Sequence, residues 1–208
     1  MPNDNVLMRT HFHYILSREI TFYLGYEATK DINTKATKIT TPMGASHEGV
    51  VVGDKLCIIP ILRAGLAMGD GMTSLLPDAA VHHIGMYRAK GSLLPIQYYN
   101  KLPRDEECDV AYIVDPCIAT SNTLQAACSI VKRWGAKKIV IVAAIGAKAG
   151  VEKLREAHPD VDLYIGQIDD TLSPEGMILP GIGDAGDRLF STPSSEVADS
   201  SPSKKRKP

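Results

Sequence analysis

The segment Ala111–Thr123 (AYIVDPCIATSNT) holds the densest run of groups able to do chemistry in this chain. A short apolar stretch ends in Asp115. The loop Pro116, Cys117, Ile118, Ala119, Thr120, Ser121, Asn122 and Thr123 follows, and a helical pattern opens at Leu124. A strand that turns into a helix through small residues gathers backbone N–H groups and the positive end of the helix dipole, which is where a phosphate sits well. The threonine and serine hydroxyls add donors, and Asp115 is placed to orient a ribose hydroxyl or to support a metal-bound phosphate. Arg63 and Arg88 each close another apolar run, and a guanidinium meets phosphate oxygens with paired donors. The combination points to a sugar-phosphate ligand carrying a diphosphate. The plainer readings are an ordinary helix entry capped by a hydroxyl residue and two structural ion pairs.

A second segment changes that balance. GMILPGIGDAGDR (Gly176–Arg188) sets glycines and a proline among aspartates, so its backbone is able to approach a flat ligand and offer it N–H and C=O groups. Alone it would pass for a surface loop. Cys117 near the helix entry is open to a lowered thiol pKa, or is simply a small loop residue. His82 and His83 fall inside an apolar run with no metal-ligand spacing, and no role follows for them.

The elements that must position these residues can be read from periodicity. Apolar side chains at helical spacing (Ile15, Leu16, Ile20, Tyr23, Leu24) predict an amphipathic helix over His13–Ala28. KITTPMGASHEGVVVGDKL predicts a β-hairpin or arm. Leu56–Leu62 reads as a buried strand ending at Arg63, with a helix from Met68 to Leu76. Val81–Tyr87 reads as a strand ending at Arg88, and GSLLPIQYYNKLPRDEE as a projecting flap. After the phosphate-like loop, a helix runs to Trp134, with Gly135 as its cap. Lys138–Ala144, Ala149–Ala157 and Val161–Ile168 continue as strand, helix and strand. Apolar strands alternating with helices predict an α/β fold, a parallel sheet covered on both faces. Ligands of such sheets bind beyond the carboxyl ends of the strands, where Arg63, Arg88 and Asp115 all lie.

Composition fits a globular protein, with 44% hydrophobic and 23% charged residues. The net charge is −1, and the tail from Ser194 carries Lys204, Lys205, Arg206 and Lys207 against Glu196 and Asp199. Without that tail 19 basic and 22 acidic residues remain, a body of about −3, so bulk charge gives no sign of nucleic-acid binding. Residues 1–193 are expected to form one domain and 194–208 a disordered basic tail. The tip PSKKRKP resembles a nuclear-import signal, and a solvated terminus explains it equally well. Four cysteines, Cys57, Cys108, Cys117 and Cys128, without CxxC spacing or ligand spacing with histidine, an N-terminus without an apolar leader and no long apolar run lead us to expect a reduced, cytoplasmic protein.

ILRAGLAMGDGM, IGMYR, PIQYYNKLP, VDPCIATSNT and PGIGDAGDRLFST occur in the order found in uracil phosphoribosyltransferases, and the resemblance spans Leu7 to Thr192. It implies the type I phosphoribosyltransferase fold with a β-arm and a small C-terminal hood. The implied reaction joins uracil to 5-phosphoribosyl 1-diphosphate (PRPP) with Mg2+, held mainly by the PRPP, and yields UMP and diphosphate. Asp115–Thr123 would bind ribose and 5′-phosphate, Arg63 and Arg88 the diphosphate, and Asp184 the phosphoribosyl substrate. Ile178, Gly183, Asp184 and Ala185 would form the uracil subsite, read largely through backbone groups. Asp184, Arg63 and Arg88 would be the catalytic set. Neither nucleic acid nor membrane is an implied partner, and a homodimer or larger homo-oligomer is. A GTP effector stays open.

Three departures mark this chain. Ser121 and Asn122 replace glycines in the phosphate loop, Met177 stands where an aromatic is usual, and the link from Leu7-Met8-Arg9 to the first helix is short. The first of these sustains a second reading, a catalytically weak or inactive uracil- or nucleotide-binding regulator. A transferase for another base is a third, and the GIGDAGD segment speaks against it.

Overall fold

The computed structural model describes residues 4–89, 94–104 and 108–192. The tail expected to be disordered, and its import-like tip, lie outside the described residues. Helix α1 (Asp4–Ala28) precedes a separate antiparallel arm, β1 (Thr34–Thr40) with β2 (Ser46–Val52). Then come β3 (Leu56–Leu62), α2 (Leu66–Leu75), β4 (Ala80–Val81), β5 (Ile84–Arg88) and β6 (Pro95–Asn100). The second half holds β7 (Val110–Val114), β8 (Cys117–Ile118), α3 (Asn122–Trp134), β9 (Lys138–Ala147), α4 (Lys148–Ala157) and β10 (Asp162–Asp169). The chain closes with β11 (Thr171–Leu172), β12 (Ile178–Leu179) and α5 (Ala185–Phe190).

The main sheet runs β10-β9-β7-β3-β5-β6, with β4 beside β3 and β8 beside β9. All its pairings are parallel except β5 with the edge strand β6, so the expected parallel sheet carries one antiparallel edge. Of the flap expected over 91–107, the described part contains β6, paired antiparallel with β5; 91–93 and 105–107 lie outside the described residues. Alternate residues of the central strands feed two cores. Ile59, Ile113 and Ile141 meet Leu124, Ala127 and Val131 of α3 and Val151 and Leu154 of α4 on one face. Ile58, Tyr112 and Val142 meet Met68 and Met72 of α2 and Ala28 of α1 on the other. A sheet buried on both faces explains why LCIIPIL and KIVIVAA are continuous apolar runs.

Three expectations change. First, α1 starts at Asp4 rather than His13 and includes Leu7-Met8-Arg9, so no short link precedes it. Second, its packed stripe is Thr21, Gly25 and Ala28, while Ile15, Leu16 and Tyr23 are exposed. The cause is α2: a Cβ on Gly25 would lie 2.6 Å from the sulfur of Met72 and 2.8 Å from Leu75, a spacing that admits only small residues. Third, the run Val81–Tyr87 is two strands, interrupted at His82-His83. There the His82 ring packs edge-on against Trp134 with centroids 5.5 Å apart.

Candidate active site

The charged residues on one side of the site sit where apolar strands stop. Arg63 follows β3, Arg88 ends β5 and Asp115 follows β7, so the parallel order of these neighbouring strands gathers their polar termini on one rim. Behind the rim the two loops touch. An added Cβ at Gly65, the N-cap of α2, would come within 2.4 Å of the Val114 carbonyl oxygen. The close approach of these loops therefore depends on glycine. Above the rim rises a hood: the β11–β12 hairpin, a glycine-rich turn and α5. Asp169 at the end of β10 accepts a hydrogen bond from the Gly181 N–H at 3.0 Å, which ties the turn to the sheet.

Rim and hood enclose an open cavity of about 1040 Å³, large enough for a drug-sized ligand. Arg63, Arg88, Asp115, Cys117, Ala119 and Thr123 line one side, and Ile178, Gly183, Asp184 and Ala185 the other. The structure thus brings together most of the residues that the sequence singled out. Pro116 and Ile118 do not reach the cavity: both are buried, and Ile118 belongs to the core beneath α3 and α4. The side chains of Ser121 and Asn122 are engaged away from it. Ser121 takes φ 63 as N-cap of α3, and its hydroxyl accepts from the Gln125 side chain at 2.6 Å rather than from the helix backbone. Asn122 Oδ1 accepts from the Lys153 ammonium at 2.7 Å. The left-handed backbone that glycine would adopt freely is therefore kept by a serine, at a cost of roughly 1–3 kcal/mol.

Charge in the cavity is distributed unevenly. Burial pushes the Asp115 carboxyl up to about 7, although part of its surface faces the cavity. The Arg88 guanidinium and a hydrogen bond from the Cys117 backbone pull the other way, and the Asp184 carboxylate adds to the rise. Of the two readings of Cys117, the lowered thiol pKa does not hold. Cys117 lies in the short strand β8 rather than at the helix entry, and burial pushes its thiol up to about 12.

Asp184 caps α5, accepting from the Asp187 N–H at 2.9 Å. Arg63 reaches across the cavity to the hood, where its Nη2 meets Asp187 Oδ1 at 3.1 Å and its Nη1 donates to Thr192 at 3.2 Å. Asp187, Thr192 and Arg188, with Tyr87 of β5 and Tyr98 of β6, line the cavity and were not singled out in the sequence. The spacing Asp184-x-x-Asp187 was an available signal, because an N-cap aspartate with an acid three residues on marks a helix start. Tyr98 carried none, since only the antiparallel pairing of β6 with β5 brings it here; Tyr87 arrives on β5 beside Arg88. Met177, noted where an aromatic is usual, lines the cavity too.

The chain matches the family described as Uracil phosphoribosyltransferase over residues 7–192. Among curated proteins, the uracil phosphoribosyltransferase of Dictyoglomus thermophilum is 49% identical over 174 residues, covering 84% of each chain. That of Clostridium botulinum is 47% identical over 178 residues, covering 85% of each. Among solved structures, a protein from Aquifex aeolicus superposes with a TM-score of 0.81 at 29% identity, covering 92% of this chain and 96% of its own. A hypoxanthine-guanine phosphoribosyltransferase from Bacillus anthracis, at 13% identity, a TM-score of 0.51 and coverage of 76% and 80%, shares the fold. With a cavity of this make-up above the carboxyl ends of a mostly parallel sheet, and relatives nearly half identical along most of its length, the chain belongs to the uracil phosphoribosyltransferase family.

Proposed function

We propose that this protein transfers the 5-phosphoribosyl group of PRPP to uracil, releasing UMP and diphosphate. The observation that carries the reading is the pairing, across one cavity, of two arginines and a phosphate-type loop with a hood rich in exposed backbone groups. Uracil presents an acceptor, a donor and an acceptor along O2, N3–H and O4. Peptide groups at Ile178, Gly183 and Ala185 would match that edge, whereas cytosine would leave them unpaired, which discriminates against it.

In the reaction the bond from C1′ to the diphosphate oxygen breaks as uracil N1 bonds to C1′, and the N1 proton leaves to solvent. Positive charge grows on the ribose and negative charge on the departing diphosphate. Arg63 and Arg88 neutralise the latter, and fixed groups that need not reorganise are the efficient way to do so. Asp115, once ionised, accepts from ribose hydroxyls, while the backbone N–H groups of residues 119–123 hold the 5′-phosphate at the entry to α3. Among the described residues no cluster of three ligating side chains exists. Four carboxylates line the cavity, Asp115, Glu175, Asp184 and Asp187; Asp187 is engaged by Arg63, and Asp115 and Asp184 are hard-oxygen donors that suit Mg2+, which keeps most of its waters and rides on substrate phosphates. These two aspartates would meet that ion, and when bound it offsets the diphosphate charge.

A homo-oligomer is part of the proposal. Its support is the apolar surface left on α1 and on the arm, where Phe12, Tyr23, Tyr26 and Val50 are each more than 60% exposed. Light scattering at micromolar concentration decides it, and a monomer would refute it. The same reading places the protein in the cytoplasm.

Incubation with labelled uracil, PRPP and Mg2+ tests the activity. UMP formation is expected, and a complete lack of UMP, with GTP added as well, would sink the proposal. Uracil binding without turnover would favour the regulatory reading instead, and restored turnover in Ser121→Gly, Asn122→Gly would place the cause in the loop.

A further inference from the structure

The reading above gives Arg63 a ligand, but not a reason to be in place. A long, half-exposed arginine side chain at the mouth of a 1040 Å³ cavity has many rotamers to lose when a diphosphate arrives. The structure holds it from three sides. Asp187 Oδ1 pairs with Nη2 at 3.1 Å, Thr192 Oγ1 accepts from Nη1 at 3.2 Å, and the guanidinium lies 6.0 Å from the centroid of the Phe190 ring. Asp187 and Thr192 are joined in turn, the hydroxyl donating to Oδ1 at 2.5 Å. Thr192 therefore donates its proton to the aspartate and accepts from the arginine, so the hydroxyl's direction is fixed by both partners.

Asp187 is itself well anchored. Its N–H is bound by Asp184 Oδ1, its N–H-to-carboxylate geometry belongs to the first turn of α5, and its side chain is only 20% exposed where that of Arg63 is 50% exposed. The anchored partner positions the mobile one. A guanidinium has five N–H donors. These two bonds use two of them, and since Arg63 lines the cavity, donors remain for phosphate oxygens.

We propose that Asp187, together with Thr192, is a positioning residue for diphosphate binding: the pair pre-sets the Arg63 guanidinium and ties the diphosphate side of the cavity to the hood. The inference rests on Arg63 being a diphosphate ligand. Neither Asp187 nor Thr192 touches substrate in this account, and both act through the arginine.

The test is a double-mutant cycle read by PRPP titration calorimetry and by steady-state kinetics on the full chain. Asp187→Asn keeps the shape and removes the charge; a PRPP dissociation constant and a KM for PRPP raised about 10-fold are expected, with the KM for uracil changed less than 3-fold. Thr192→Val, whose neighbours are less dependent on charge, is expected to raise the same constants about 3- to 5-fold, and serves if Asp187→Asn folds poorly. In an Arg63→Ala background the Asp187→Asn change should have no further effect on PRPP affinity. If it weakens PRPP binding equally in both backgrounds, or if it raises both substrates' KM values alike, Asp187 does not act through Arg63 and the proposal is overturned. If Arg63→Ala alone leaves PRPP affinity unchanged, what fails is the role of Arg63, a distinct result.

Discussion

The loop between β7 and α3 and the hood above it face each other across one cavity, and they are held in unlike ways. The loop is bolted from behind by packing. Ile118 is fully buried, Ala119 and Ser121 are each 4% exposed, and α4 presses so closely that a Cβ on Gly150 would fall 1.9 Å from the Ala119 carbonyl oxygen. The hood has a six-residue helix, a hairpin of two two-residue strands and polar fastenings: the Asp184 cap, the Asp169 bond to Gly181, and the Arg63–Asp187–Thr192 triangle. Packing gives the loop a rigid, preformed shape, which suits the phosphate proposed to sit on it. Polar fastenings near the surface are individually weak and leave the hood adjustable, which suits the base-reading role proposed for it.

The largest break in this picture comes from the shared fastening. Arg63→Ala removes charge-assisted bonds worth about 1.5–3 kcal/mol each, so kcat/KM for PRPP should fall about 100- to 10,000-fold while thermal stability barely moves. A steady-state assay beside a melting curve distinguishes the two. Next is the buried start of the loop. Between the ordinary carboxyl value of 3.8 and about 7, folded Asp115 keeps a proton that the unfolded chain has released. Ligand-free stability should therefore fall as pH rises from about 4 to about 7 and level off above, by roughly 2–4 kcal/mol in total. Denaturant titrations across that range should show the slope in the wild type and lose this part of it in Asp115→Asn.

The sequence made the loop legible because packing writes itself into composition. VAYIV before Asp115 and KIVIVAA after Gly135 are buried on both faces, and their positions in the chain followed directly. The hood was half legible. Its glycines and Asp184 stood out; Asp187 was marked locally only as a first-turn acid, and neither its pairing nor that of Thr192 with Arg63, more than a hundred residues away, is recorded in the local sequence. Helix α1 was misjudged for a related reason. Its apolar side chains suggested a core face, yet the real contact requires small residues opposite Met72 and Leu75, a demand made by another element.

Two smaller changes sharpen the contrast. Gly150→Ala pushes on the loop without touching the cavity. It should cost about 1–3 kcal/mol of stability, as overpacking does, and raise the KM for PRPP more than that for uracil. Ser121→Gly relieves the backbone at φ 63 but gives up the bond from Gln125. These effects offset each other, so a net change of less than about 1 kcal/mol is expected, with kcat within 3-fold of wild type. A much larger gain in kcat would mean that serine does limit the reaction.

A crystal structure with UMP bound tests the division of labour most directly. The account requires the 5′-phosphate on the backbone N–H groups of residues 119–123, with the loop unmoved, and the uracil edge against the backbone of Ile178, Gly183 and Ala185, with the hood shifted to meet it. A nucleotide lying in the reverse orientation, or a loop that rearranges while the hood stays fixed, would contradict it.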